Sequence, residues 1–285
     1  MLSKVLIATD LSGTSYNMLQ SLKELKNFNI SNLILTHVID LKYSTIVPPQ
    51  IKEESFLLLN KEAEILINEG FNVSIDLRVG TCWKEILDSA KDNKASMIII
   101  GSHGKSVAKE IILGSVTSEL IENANLPVLV LKMSDFDTEK KARFSSIKIS
   151  HLFDNILFAT DFSQETEGVK KFLKDNRDFI KELTIVNVKE PIILEQPIEF
   201  NINELDAIAL NRLESIEKEL NIASRKELLH GIPSLELTDF INGKNFSLVV
   251  MGTRGLGLAS RLLLGSTSRY IIRHSKAPVL IVPFT

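Results

Sequence analysis

Residues 4–12 read KVLIATDLS, and residues 155–163 read NILFATDFS. Each stretch is a short apolar, β-branched run that ends in Ala-Thr-Asp, which is typical of a buried parallel strand followed by a polar turn. The two aspartates, Asp10 and Asp161, are 151 positions apart. Four later pairs keep the same spacing: Gly80 and Gly231, Gly101 and Gly252, Gly114 and Gly265, Pro127 and Pro278. Because the coincidences occur in order along the chain, they indicate an internal duplication.

The length of 285 residues agrees with two domains. Residues 133–153 are polar and charged, so we interpret them as a linker between a first domain, residues 1–132, and a second domain, residues 154–285. Strand-like and helix-like segments alternate in each half, although the third strand of the second half, Arg225–His230, is short and weakly patterned. This alternation predicts an α/β fold, with a parallel sheet and helices on both of its faces in each half.

The composition excludes several classes of protein. A net charge of −3 provides no basic field for nucleic acid or anionic lipid. No apolar run approaches the length of a signal-peptide core or of a membrane-spanning helix, so we expect a cytoplasmic protein without membrane contact. The single cysteine, Cys82, cannot form a disulfide within the chain, and a structural thiol is favoured over a metal ligand or a nucleophile.

A glycine-rich segment follows the fourth strand of each half. The first half reads Gly101-Ser-His-Gly104, then nine residues, then Gly114-Ser-Val-Thr117. The second half reads Gly252-Thr-Arg-Gly255, then nine residues, then Gly265-Ser-Thr-Ser268. The pattern G-x-x-G-x9-G-[ST] therefore occurs twice, each time between a buried strand and an amphipathic helix.

This pattern favours phosphate binding. In open parallel sheets, ligands bind beyond the carboxyl ends of the strands, where the strand order reverses. Glycines let the backbone approach a phosphate closely, and a helix that begins at Ser115 or Ser266 directs its free N–H groups and positive dipole end at the ligand. We expect the hydroxyl groups of this segment to add hydrogen bonds to phosphate oxygens. In the alternative interpretation, Ser115 simply caps its helix.

Two further positions suit a nucleoside. Asp10 and Asp161 end the first strand of each half, where a carboxylate can accept a hydrogen bond from a ribose hydroxyl. Val38 and Val188 end the second strand, where backbone groups can read an adenine edge.

The paired glycine motifs, the Ala-Thr-Asp strand ends and the closing segments Pro-Val-Leu-Val130 and Pro-Val-Leu-Ile281 resemble the universal stress protein family. The resemblance covers nearly the whole chain and implies two tandem, doubly wound, five-stranded domains that bind adenine nucleotides. It also implies that the domains pair through their last strands as an internal pseudo-dimer. The resemblance implies a first nucleotide site at Asp10, Val38, Gly101, Ser102, His103, Gly104, Gly114, Ser115, Val116 and Thr117. The matching second site consists of Asp161, Val188, Gly252, Thr253, Arg254, Gly255, Gly265, Ser266, Thr267 and Ser268.

Some members of that family bind ATP through this motif and others do not. The first half fits the ATP-binding pattern throughout, whereas the second has Asn187 where the first has His37, and its third strand is abbreviated. Lys105-Ser106 does not complete a Walker A loop because Ile99 stands where the first glycine is required. The five histidines lack the spacing of a zinc site.

Three functions stay open on these grounds. The first is a stress-response or signalling module that binds ATP or AMP, with Mg²⁺ accompanying ATP, and whose bound nucleotide alters its shape or its choice of an unidentified protein partner. The second is a slow ATPase or phosphotransferase that uses the same sites, although the sequence offers no convergent base and no pair of metal-binding carboxylates. The third is a scaffold with empty sites whose function is dimerisation, including pairing with a second chain.

Overall fold

The computed structural model of the chain describes residues 2–41, 46–102, 113–132, 149–190, 202–253 and 264–284. The chain divides into two compact units, Met1–His151 and Leu152–Thr285. Each unit alternates strands with helices, as the sequence predicts.

The first unit contains five parallel strands. They are β1 (Lys4–Thr9), β2 (Asn32–Asp40), β3 (Asn72–Gly80), β4 (Met97–Gly101) and β5 (Val128–Leu131). Their order across the sheet is β3-β2-β1-β4-β5, and every neighbouring pair is parallel. The strand order therefore reverses between β1 and β4, which is the point where open α/β sheets form a crevice.

The helices of the first unit flank this sheet. They are α1 (Gly13–Ser21), α2 (Pro49–Asn68), α3 (Cys82–Asp92) and α4 (Ser115–Asn123). Helix α1 packs on α2, and α3 packs on α4, so that two helix pairs cover the sheet. Because both faces are covered, β1 is a continuous apolar run, in which Val5, Leu6 and Ile7 are fully buried.

The second unit repeats this arrangement. Its strands are β6 (Asn155–Ala159), β7 (Glu182–Lys189), β8 (Ser224–His230), β9 (Leu248–Gly252) and β10 (Val279–Val282), all parallel and in the order β8-β7-β6-β9-β10. Its helices are α5 (Glu165–Asp175), α6 (Ile202–Leu220), α7 (Pro233–Gly243) and α8 (Ser266–His274). Pro233 opens α7, where its missing N–H costs nothing because the first turn has no intrahelical acceptor.

The predicted fold class, two tandem doubly wound domains with five-stranded parallel sheets, is confirmed. Two details differ from the sequence interpretation. Apolar residues at helical spacing predict one helix over Ser15–Phe28. The chain is α-helical only to Ser21 and continues as a 3₁₀ helix over Leu22–Phe28, where left-handed Asn29 ends it. Strand β8 begins at Ser224, one residue before the predicted Arg225, and all seven of its residues pair with β7, although it is two residues shorter than β3.

Most of the predicted linker, residues 133–148, lies outside the described residues. Its last residues are part of the packed second unit: Leu152 and Phe153 are buried. The ring of Phe153 lies 6.4 Å from that of Phe172 and 6.2 Å from that of Phe179. The predicted pairing of the two domains through their last strands stays a prediction. In the part of the chain that the structure describes, no helix combines the length and the apolar character needed to cross a membrane.

Candidate functional site

A cavity lies at the carboxyl ends of the strands in each unit, at the point where the strand order reverses. The cavity of the first unit, the first cavity, has a volume of about 190 Å³. The cavity of the second unit, the second cavity, has a volume of about 940 Å³. Ligands bind at this place in doubly wound sheets.

Most of the described predicted residues of the first site line the first cavity. They are Asp10, Val38, Gly101, Gly114, Ser115, Val116 and Thr117. Ser102 does not line it and is almost completely buried. His103 and Gly104 lie outside the described residues.

The second cavity shows the same distribution. The predicted residues that line it are Asp161, Val188, Gly252, Gly265, Ser266, Thr267 and Ser268. Thr253 does not line the cavity, and its hydroxyl donates to Glu165 Oε2 at 2.8 Å. Arg254 and Gly255 lie outside the described residues. Val38 and Val188 stand just before the strand ends, since β2 continues to Asp40 and β7 to Lys189.

The turn after β1 holds Asp10 in place. Its Oδ1 accepts from the Ser12 amide at 3.1 Å and from the Ser15 hydroxyl at 2.5 Å. Leu11 adopts a left-handed conformation with φ of 57°, and its amide donates to Thr9 Oγ1 at 3.1 Å. A left-handed leucine is strained, so the hydrogen bonds around it fix a conformation that the chain would not adopt alone.

The turn after β6 repeats this geometry. Asp161 Oδ1 accepts from the Ser163 amide at 3.0 Å, and left-handed Phe162, with φ of 63°, donates its amide to Thr160 Oγ1 at 3.0 Å. One contact differs: Thr166, which replaces Ser15, bonds Thr160 Oγ1 at 2.9 Å. In both turns the aspartate carboxylate is oriented by a backbone amide, and the aspartate lines the cavity of its unit.

His37 and Asn187, where the two halves differ in sequence, have the same structural role. The Nδ1 of His37 lies 2.9 Å from the Thr9 carbonyl oxygen, so Nδ1 carries the proton and donates. The Nδ2 of Asn187 donates to the Thr160 carbonyl oxygen at 2.8 Å. Each side chain ties the second strand of its unit to the end of the first strand. The substitution therefore does not distinguish the two sites structurally.

The helix that borders each cavity begins without a side-chain cap. Gly114 and Gly265 are the N-cap residues of α4 and α8, and neither helix has a side-chain cap hydrogen bond. Ser115 is the first helical residue, so the alternative interpretation of Ser115 as a simple cap is wrong. The first-turn N–H groups have no intrahelical acceptor and lie at the positive end of the helix dipole, which together favour an anion.

Two of the hydroxyl groups expected to contact phosphate are oriented differently. Thr117 Oγ1 donates to the Gly101 carbonyl at 3.1 Å, and Ser268 Oγ donates to the Gly252 carbonyl at 3.1 Å. Both side chains are buried. They connect the start of the helix to the end of the fourth strand, which fixes the position of the N–H groups. Of the other predicted hydroxyl residues, Ser115 and Ser266 are exposed and Thr267 is half-buried.

Several residues that line the cavities carry no sequence motif. In the first cavity they include Met18, His37, Cys82 and Ile86. In the second cavity they include Lys189, Arg212, Pro233 and Arg269. The 151-residue spacing pairs Cys82 with Pro233, so the repeat itself could have located this position. Arg212 lies over the ring of Phe162, with its Cζ 5.4 Å from the ring centroid.

The described residues contain no group of three His, Cys, Asp or Glu side chains that could hold a metal ion. Among the described lining residues of the first cavity, Asp10 is the single carboxylate. A single carboxylate fits Mg²⁺ only as a partner of phosphate oxygens, because Mg²⁺ keeps an octahedral shell that one side chain cannot fill.

The reactivity of Cys82 tests whether its thiol has the environment that the structure gives it at the first cavity. Its burial, together with the nearby Asp40 carboxylate, raises the pKa of the Cys82 thiol to about 11. We expect iodoacetamide to modify Cys82 in the folded protein at pH 8 roughly 10–100-fold more slowly than a cysteine with an ordinary pKa, because little thiolate is present. The rate should keep rising above pH 9, where ordinary thiols level off, and the denatured protein should react normally. If the rate of modification of the folded protein levels off near pH 9, the pKa of the Cys82 thiol is not raised.

Comparisons with known proteins agree with the duplicated fold. The sequence profile of the Universal stress protein family matches residues 1–132 and, separately, residues 152–283. Universal stress protein MJ0577 of Methanocaldococcus jannaschii is 36% identical over 162 residues, which cover 46% of this chain and 96% of that protein. Universal stress protein YxiE of Bacillus subtilis is 28% identical over 148 residues, which cover 46% of this chain and all of that protein.

A solved structure extends the similarity to both halves at once. The crystal structure of a universal stress protein from Archaeoglobus fulgidus superimposes with a TM-score of 0.72 at 25% identity, and covers 98% of this chain and 96% of that one. The two family matches together span most of the sequence. The chain therefore belongs to the universal stress protein family, as a member with two tandem family domains.

Proposed function

We propose that each half of the chain binds one adenine nucleotide, ATP or AMP. The observation that carries this proposal is the composition of the cavity walls. In each unit, an uncapped helix N-terminus and an oriented strand-end carboxylate border the same cavity at the switch point of the sheet. A ligand that satisfies both walls needs an anionic group and a hydroxyl donor, and a nucleotide carries both.

The phosphate end would lie against the first turn of α4 or α8. Gly114 and Gly265 leave the approach to these N–H groups open, because a side chain there would project beside them. The amide of Gly114 donates to the Ser102 carbonyl at 3.1 Å, and that of Gly265 donates to the Thr253 carbonyl at 2.9 Å. The helix start that would receive the phosphate is thus attached to the residue after the fourth strand before a ligand binds.

The nucleoside end would lie between the first two strands of the unit. Asp10 or Asp161 would accept a hydrogen bond from the ribose, and the backbone of Val38 or Val188 would contact the adenine edge. Apolar lining side chains, Met18 and Ile86 in the first cavity, provide a surface on which a flat base can be buried.

Mg²⁺ would enter with ATP. Its ligands would be mainly phosphate oxygens and water, since the described residues contain no group of three His, Cys, Asp or Glu side chains that could hold a metal ion. In this role the ion neutralises phosphate charge.

The proposed role in the cell is a cytoplasmic stress-response or signalling module whose bound nucleotide changes its shape or its partner. Pairing of the two domains through their last strands, and pairing with a second chain, belong to the same proposal. Both rest on the resemblance to the family.

The direct test is to denature freshly purified protein and to identify and count the released nucleotides by mass spectrometry. We expect about two adenine nucleotides per chain, one for each cavity. A preparation that releases none, and takes up none after incubation with ATP and Mg²⁺, would overturn the proposal and favour a scaffold with empty sites. Release of one per chain would confine the function to one half.

A further inference from the structure

The two cavities differ in the cations that line them. Among its described lining residues, the first cavity has neither lysine nor arginine. The second cavity has three, Lys189, Arg212 and Arg269. The carboxylates differ too: Asp10 lines the first cavity, and Asp161, Glu165 and Glu190 line the second. Because carboxylates accompany the cations in the second cavity, its net charge says little about phosphate binding. The position of each cation relative to the proposed phosphate site is what matters.

Other charged side chains at the second cavity are placed by their contacts with other parts of the second unit. Lys189 Nζ lies 2.6 Å from Asp206 Oδ1, so its charge is paired on the α6 side of the cavity. The Glu165 carboxylate accepts from the Thr253 hydroxyl at 2.8 Å and from the Phe284 amide at 3.3 Å, which holds it at the chain end. Arg212 stands on α6, over Phe162.

Arg269 lies on α8, the helix whose N-terminus would receive the phosphate. It is the fourth residue of α8, and its amide makes the first helical hydrogen bond, to the Gly265 carbonyl at 2.9 Å. Helical side chains point back towards the helix N-terminus, so a long side chain at this position covers the first turn. Arg269 is half-buried and is one of the residues that line the second cavity, in agreement with this geometry.

The first unit has a short side chain at the matching position. The 151-residue spacing pairs Arg269 with Ser118, the fourth residue of α4. Ser118 does not line the first cavity and carries no charge. The two helices are otherwise alike over their first turn, since both start after an N-cap glycine and both tie their third residue to the fourth strand.

We propose that Arg269 is a specificity-determining residue that makes the second site select the more highly phosphorylated nucleotides, whereas the first site discriminates less. This inference rests on the proposed nucleotide function. The guanidinium group presents several N–H donors in one plane and stays charged, which suits it to two phosphate oxygens at once. Placed over the first turn of α8, it adds to the attraction that the helix N-terminus already exerts on an anion.

The test exchanges the two residues and reads each site separately. Gly114→Val removes binding at the first site, so that only the second site is measured. Gly265→Val removes binding at the second site, so that only the first is measured. Calorimetric titration with adenosine, AMP, ADP and ATP then gives the dependence of affinity on phosphate number. In the second site, Arg269→Ser should weaken ATP binding about tenfold and adenosine binding less than twofold. In the first site, Ser118→Arg should strengthen ATP binding by about the same factor.

Arg273→Ser is the matched control, because it removes the same charge from an exposed position one turn further along α8. It should leave the dependence on phosphate number unchanged. If the chain binds no adenine compound at either site, the proposed function itself fails. If both sites bind but Arg269→Ser weakens adenosine and ATP equally, or weakens neither, the nucleotide function stands and the role of Arg269 is refuted. If Arg273→Ser weakens ATP binding as much as Arg269→Ser does, the effect comes from the net charge of the protein, and the specific role of Arg269 is refuted.

Discussion

The double variant Gly114→Val, Gly265→Val is expected to lose nucleotide binding at both sites while it keeps its fold. Each glycine is the N-cap residue of a helix whose first turn lines a cavity. A valine side chain would project beside these groups and hold a phosphate away from them. Loss of several charge-assisted hydrogen bonds should lower the affinity by about 100-fold or more, as measured by calorimetric titration with ATP.

The fold should survive because the backbone at Gly114 does not need glycine. Like those of Gly265 (−57° and 146°), its φ and ψ of −57° and 142° are values that any residue adopts. A Cβ at this position would lie 3.6 Å from the Ser102 carbonyl oxygen and 3.7 Å from Thr117 Oγ1, which are ordinary contact distances. The glycine is thus dispensable for the helix start, and its place is explained by the ligand that must approach.

Gly243→Val serves as the control, since it adds the same side chain at the end of α7, where a Cβ would meet no atom within 4 Å. It should bind ATP like the unchanged protein. Circular dichroism and thermal unfolding should show that all variants are folded. Tight ATP binding by a folded double variant would contradict the proposed location of the phosphate.

The repeat made most of the fold predictable. The short apolar runs Lys4–Thr9, Val128–Leu131 and Val279–Val282, each bounded by turn residues, predict three strands with these bounds. The strands β1, β5 and β10 begin and end there. The glycine pattern also located the helix start at Ser115, because it combines a flexible approach with a helix that follows. Hydrophobic periodicity and turn residues are short-range sequence signals. They are sufficient to predict strands and helices that are formed by consecutive residues.

The turns after β1 and β6 were harder to predict. In a sequence, glycine or asparagine usually indicates a left-handed conformation, whereas here Leu11 and Phe162 adopt it. What holds them is a threonine hydroxyl two residues earlier, Thr9 or Thr160, which accepts the strained residue's amide. Such a turn depends on the side-chain geometry of several neighbours, and no single residue type reveals it.

The directions of the hydroxyl groups were predicted incorrectly for a similar reason. A serine or threonine in the first helical turn can face a ligand or bond back to the protein. Thr117 and Ser268 bond back, because the carbonyls of Gly101 and Gly252 are within reach once the strand and the helix are packed. The lining role of Arg212 likewise depends on how α6 packs over the turn after β6, which the sequence pattern does not encode.

The second large effect is expected in stability, from Gly168→Ala in α5. In a helix this change usually stabilises a protein, by up to about 1 kcal/mol. Here the added Cβ would lie 2.5 Å from the Pro283 carbonyl oxygen and 3.3 Å from its carbonyl carbon. Both are backbone atoms and cannot rotate away, so either α5 or the chain end must shift. We expect a destabilisation of about 1–3 kcal/mol, which reverses the usual sign.

The effect should be confined to the second unit. Helix α5 supplies Glu165, Thr166 and Val169 to the wall of the second cavity, and Glu165 also bonds the amide of Phe284 next to the clash. Hydrogen exchange should therefore accelerate in peptides from α5 and β10 and stay unchanged in the first unit. Nucleotide affinity should fall at the second site alone, measured with the first site silenced by Gly114→Val.

Gly243→Ala is the matched control, because it makes the same substitution in a helix of the same unit where the Cβ meets nothing. It should be neutral or slightly stabilising, which shows that the loss at Gly168 comes from the contact and not from alanine. If Gly168→Ala unfolds at the same temperature as the unchanged protein, the chain end is not held against α5 in solution. The packing of Pro283 against α5 would then not stabilise the wall of the second cavity, and no effect on nucleotide affinity at the second site would be expected.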